Sequence, residues 1–237
     1  MEEINNNSSP EANKKGMTMG VVAVVIALLV GGGIGYAMKS SKKDSTAPAA
    51  QSATTTPTTD TKAADLRVLL NGLEQEHVAL AADATRAGFD GTKSFTPAAG
   101  SLDKNSHDIA DAIGSVYGKA AGDKFYQIWN SHIGFFVDYT VAAKKGDKAG
   151  MAVAVTNLGG YVDAISTFFS EANPNLPKAA VSQLISVHVG LLKDAVDTYG
   201  AGDIDASFAK ERETRTQIGT IANAIAGAVV KQNPAKF

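Results

Sequence analysis

Residues 132–138 read HIGFFVD, and two other stretches carry the same pattern: HVALAAD at 77–83 and HVGLLKD at 188–194. Each begins with His, continues with a β-branched and then a small residue, places Leu or Phe next, and ends on Asp. A glycine stands 14 places after each histidine, at Gly91, Gly146 and Gly202. The histidines are 55 and 56 residues apart. Features held together at one period mark an internal repeat. Here they define three copies of a helix-loop-helix unit of about 55 residues.

Around each histidine, apolar residues recur at helical spacing, and period-two alternation is missing across 64–237. The expected fold is therefore all-α: a bundle of six helices near 65–88, 97–117, 123–144, 149–171, 177–199 and 204–231. Thr96-Pro97 reads as an N-cap with proline in the first helical place, and Pro177 fits a first turn. Gly88, Gly118, Gly146 and Gly200 fall where helices should stop. The first, third and fifth helices carry the histidines, and the even-numbered ones return the chain.

The three histidines face inward. Leu70, Leu73, Leu80 and Ala84 share a face with His77. Phe125, Ile128, Phe135 and Tyr139 share one with His132, and Val181, Leu184, Leu191 and Ala195 share one with His188. His107, with Asp103, Lys104 and Asp111 beside it, is expected in solvent. Hairpins joined by short loops run up and down, so His77, His132 and His188 lie at one height. In a tight cluster of helices the rings would reach a common centre. In a wide ring of alternating odd and even helices, with axes about 8–10 Å apart, they would not.

Three inward imidazoles suit zinc or copper(II), with a fourth position open. His77, His132 and His188 are thus the candidate metal ligands. Asp83, Asp138 and Asp194 point some 120° away on the helix, so they read as surface charges or as orienting partners on neighbouring helices. Glu74 and His77 form one Glu-x-x-His, but Trp129 and Ile185 stand where His132 and His188 would need glutamate. A di-iron carboxylate bundle is therefore excluded. Copper(I) ligation by methionine is disfavoured, since Met151 is the only methionine of the domain. A bis-histidine haem would have no CxxCH attachment. Phe125, Trp129, Phe135, Phe136, Phe168 and Phe169 read as core, and Glu211 with Arg215 as a surface helix pair.

The rest of the chain says where the domain sits. The 237 residues are 44% hydrophobic and 19% charged with net charge −2, which gives no basic stripe for nucleic acid. Cysteine is absent, so disulfides, thiolate catalysis and a lipoprotein anchor are excluded. Residues 1–16 are polar and read as a disordered cytoplasmic tail. Residues 17–38 carry no charge and are long enough to span a bilayer. Lysines flank this segment on both sides, so charge does not orient it. A short head, one span and a large domain read as a transmembrane signal anchor with the domain outside; cleavage near Gly35-Tyr36-Ala37 is the alternative. Residues 39–63 are a Ser/Thr/Pro/Ala-rich linker, and 64–237 form the extracytoplasmic helical domain.

The stretches LLNGLEQEHVALAA (69–82), LDKNSHDIADAIGSVYGKAAGD (102–123), WNSHIGFFVDYT (129–140), SEANPNLPKAAV (170–181) and VKQNPAKF (230–237) carry a resemblance. The domain resembles a bacterial extracytoplasmic all-helical domain found in envelope proteins that also carry copper-amine-oxidase-like N-terminal domains. The resemblance implies an envelope location. No oxidase motif occurs here, and that activity is not implied. It also implies a further histidine where this chain has Gln217, which leaves the set one short. The expectation is a membrane-anchored, non-enzymatic cell-surface module that binds a metal ion or small ligand through its inward histidines. The alternative is a structural or protein-interaction module of the envelope with the histidines as core residues. A metal-dependent enzyme is a third option, without a nucleophile–base pair to support it.

Overall fold

The computed structural model describes residues 59–237. The expected tail at 1–16, the anchor at 17–38 and most of the 39–63 linker lie outside them. The described residues form one compact unit with its own apolar core, the condition for a domain to fold alone. Among the described residues the structure is all-helical, with six helices and no strand. They are α1 (Lys62–Asp90), α2 (Phe95–Tyr117), α3 (Lys119–Lys145), α4 (Lys148–Ala172), α5 (Lys178–Gly200) and α6 (Ile204–Gln232).

Local chemistry sets the ends. Thr61, Asp147 and Asp203 cap α1, α4 and α6 by accepting from the backbone N–H three residues on. Gly91, Gly146 and Gly202, the glycines of the repeated pattern, turn the chain after α1, α3 and α5 with φ of 72°, 68° and 82°. Gly88, expected as a stop, is still helical, and Gly200 is the last residue of α5. Ser94 rather than Thr96 precedes α2, which puts Pro97 within the first turn, and Pro177 lies just before α5. The widest departure from expectation is the start of α3. Gly118 alone joins α2 to α3, and the two helices then touch so closely that a Cβ on Gly122 would lie 2.8 Å from the Ala110 carbonyl.

Each helix packs on its neighbours in the chain, and α6 packs on α1 to close a ring. In addition α1, α3 and α5 touch one another across the middle. They run in the same direction. At their C-terminal ends the Tyr199 hydroxyl donates to Asp90 at 2.7 Å, and the Lys144 ammonium lies beside Gly91. The bundle is thus an alternating ring whose odd helices lean inward. The rings converge in the very arrangement expected to keep them apart.

In α1, α3 and α5 the same four offsets from the histidine are buried. They are Leu70, Phe125 and Val181 at seven before; Glu74, Trp129 and Ile185 at three before; Ala81, Phe136 and Leu192 at four after; and Ala84, Tyr139 and Ala195 at seven after. Leu73, Ile128 and Leu184, and likewise Leu80, Phe135 and Leu191, expected on this stripe, are half-buried beside it. The main apolar cluster, with Phe125, Phe168, Phe169 and Ile218, lies on one side of the histidine level. A smaller cluster of Ala81, Ala84, Leu102, Phe136, Leu158 and Leu192 lies on the other.

By length and composition α5 could cross a membrane. Here it packs against α4, α6, α1 and α3, so its apolar residues serve the bundle core. Glu211 does more than pair with Arg215. It also binds Arg86 of α1 at 2.7 Å while only 12% exposed, and Arg86 stacks 4.0 Å over Phe208.

Candidate metal centre and the pocket beside it

His77, His132 and His188 meet in the middle of the bundle, 1%, 1% and 3% exposed. The His77 ring centroid lies 5.5 Å from that of His132 and 6.3 Å from that of His188. Trp129 fills the adjoining space, 4.8 Å from both His77 and His132. Tyr161 of α4 stacks on His132 at 4.5 Å. Glu74, one turn before His77, is buried in the same layer. Gln217 of α6 lies against His188 and donates to the Leu184 carbonyl at 2.6 Å.

Few of these polar atoms have partners. Both nitrogens of His77 are buried without a hydrogen bond, as are Glu74 Oε2 and Trp129 Nε1, and His188 has only the Gln217 side chain beside it. His132 differs, because its Nδ1–H donates to the Trp129 carbonyl. A carbonyl only accepts, so this bond fixes the proton on Nδ1 and leaves a lone pair on Nε2. Each unpaired buried group costs about 1–3 kcal/mol. The cost is concentrated in one layer of the molecule.

Burial also sets the charge states. It depresses the His77 pKa well below the usual 6.5, with help from the neighbouring His132 and His188. Burial lowers His132 to about 3, aided by His188 and opposed by the Trp129 carbonyl. It lowers His188 to about 4, opposed by Gln217. Burial pushes Glu74 the other way, to about 8, and raises Tyr161 well above 10, with Glu74 adding to it. At neutral pH the layer holds neutral imidazoles and a neutral carboxylic acid. Its free lone pairs suit a borderline metal ion or a hydrogen-bond donor.

Three imidazoles on one zinc, with Zn–N bonds of 2.0–2.1 Å, place their centroids roughly 5 Å apart. The two separations that involve His77, 5.5 and 6.3 Å, come close to that. Among the described residues no set of three or more His, Asp or Glu side chains is arranged to hold a metal ion. A shared ion requires the rings to rotate toward it.

Beside the layer a cavity of about 370 Å³ opens between α1, α2 and α3, with His77 and His132 at its floor. Leu102, Phe136 and Leu192 form its apolar walls, and the exposed Gly91, Thr92 and Val141 its mouth. The hydroxyls of Thr85 and Thr140 in its wall donate to the Ala81 and Phe136 carbonyls, so they offer the cavity acceptor lone pairs only, beside the imidazole nitrogens.

Asp83, Asp138 and Asp194 are exposed at the surface, and Asp194 sits 3.9 Å from Lys193. His107 is exposed and stacks on Tyr126 at 4.1 Å. Glu74 was visible in the sequence only as a fragment of a di-iron motif. The useful signal was its place three residues before a repeated histidine, the place that Trp129 and Ile185 take in the other copies. Tyr161 and the cavity had no signal. No family model matches the chain, and no curated protein or solved structure matches it.

Proposed function

We propose that the chain is a membrane-anchored, non-enzymatic module of the cell envelope that binds a metal ion or small ligand through His77, His132 and His188. The anchor at 17–38 and the linker at 39–63 hold the domain outside the cell, and the resemblance to an extracytoplasmic helical domain supports that location. The three hairpins are copies of one unit, a reading supported by the shared buried offsets around each histidine.

One observation carries the functional reading. The imidazoles of His77 and His188 are buried in one layer, both nitrogens of His77 without a partner and His188 with only the Gln217 side chain beside it. A scaffold with histidines serving only as core residues would leave that cost standing, and leucine at the same places would remove it. An incoming ion or donor turns it into binding energy. Zinc and copper(II) are the ions that neutral imidazole suits.

The domain 55–237, first stripped with chelator, should gain thermal stability with zinc or copper(II). At a hundredfold excess over Kd the gain is about 2.7 kcal/mol, or roughly 5–10 °C for a domain of this size. The gain should vanish in His132→Ala, measured against that variant's own metal-free melt. No gain at metal concentrations of about 100 μM, where a site of micromolar Kd is saturated, excludes the metal.

A further inference from the structure

We infer that the cavity between α1, α2 and α3 is a binding pocket for a small, uncharged, mostly apolar molecule that ends in one hydrogen-bond donor. The inference rests on the reading that the imidazole layer is a binding centre, and it names what reaches that layer from outside. Four features of the pocket point to this class.

The first is size. About 370 Å³ lies within the range of pockets that enclose small organic ligands, and is far more than a bare ion fills. The second is charge. No Asp, Glu, Lys or Arg lines the cavity, and a charged ligand would lose its hydration there without compensation. The third is the floor. His77 is 1% exposed, lines the cavity, and has both ring nitrogens unpaired. His132 lines it too, and its bond to the Trp129 carbonyl leaves Nε2 as an acceptor. The one free ring atom of His132 accepts, so the ligand's polar end carries an O–H or N–H that donates to it, and neutral His77 offers one N–H and one acceptor beside it. The fourth is access, through a mouth that includes the exposed Gly91, Thr92 and Val141.

N-phenyl-1-naphthylamine has this chemistry: it is neutral, aromatic, and carries one N–H. Its fluorescence rises on transfer from water to an apolar site. With the metal-stripped 55–237 domain the expected result is saturable one-site binding with Kd of about 10 μM or tighter, ordinary efficiency for a ligand of that size. Two variants locate it. Ala99→Trp, at a half-buried place in the pocket wall, should weaken the probe at least about tenfold, by occupying its space, while leaving any zinc-induced melting gain intact. His132→Leu should weaken it about tenfold, by removing the acceptor, and should abolish the zinc gain.

Absence of saturable binding overturns the inference, and so does equal affinity for wild type and Ala99→Trp. Equal affinity for wild type and His132→Leu overturns the assignment of a donor end. Probe binding without any zinc gain leaves the pocket standing and ends the metal reading; a zinc gain without probe binding does the reverse.

Discussion

Acidifying the metal-free domain from pH 7 to pH 4 unfolds it. The folded-state pKa values of His77, His132 and His188 lie below 6.5, at about 3 for His132 and about 4 for His188. As pH falls through 6.5 the unfolded chain takes up three protons that the folded chain refuses, so stability falls with pH. Each refused proton costs about 1.4 kcal/mol per pH unit. Glu74 opposes the trend. Its folded-state pKa of about 8 lets the folded chain hold a proton that the unfolded chain holds only below 4.5. It returns about 1.4 kcal/mol per unit down to that point. The net loss between pH 6.5 and 4.5 is on the order of 5 kcal/mol, and it steepens below. Native domains are stable by about 5–15 kcal/mol in all. Far-ultraviolet circular dichroism and Trp129 emission should therefore fall together between about pH 5 and 3.5. A denaturant midpoint that stays level from neutrality to about pH 4.5 would show that the imidazoles are not buried neutral.

Glu74→Gln should stabilise the domain by an amount that grows from about pH 4.5 to about pH 8. The folded-state pKa of about 8 against 4.5 means that stability is fully present at low pH. It is then lost between about pH 4.5 and 8, as the unfolded carboxyl ionises and the buried one cannot. By about pH 9 the deficit amounts to several kcal/mol. Glutamine keeps the shape and cannot ionise. Urea denaturation of the metal-free proteins should show the variant ahead by several kcal/mol at about pH 9, and level within about 1 kcal/mol near pH 4.5. Parallel curves across that range would mean that Glu74 has a partner or reaches water.

The helices and the inward histidines were legible because they are written as periodicity. The triplicated pattern gave the level of each ring, and its glycines 14 places on turn the chain after the odd helices, although Gly88 and Gly200 read as the stops of the first and fifth. Convergence was not legible, because it depends on how far α1, α3 and α5 lean past the ring, and no residue count encodes that. The start of α3 was missed for a local reason. Gly118 turns the chain in one residue, and Gly122 then needs a bare Cα against the Ala110 carbonyl. Gly118 reads as a stop with a longer loop to follow, and Gly122 looks like ordinary helix filling. Glu74 was seen, but as part of a motif that failed; its burial follows from packing against Tyr161 and the histidines, partners distant in sequence. The cavity is a negative feature. It arises where Ala81 and Ala84 face the Leu102 and Phe136 walls, and small residues on a helix face do not announce a void.

The central claim is that the imidazoles of three hairpins stand at one interior point and are free to bind. The chain has one tryptophan, and its indole lies 4.8 Å from two of the three rings. Copper(II) held by those rings must quench it. Titration of the metal-stripped domain should quench Trp129 emission in a straight line that breaks at one equivalent, with the break absent in His77→Leu and His188→Leu. Emission that declines only gradually, without a break and equally in those variants, would contradict the account.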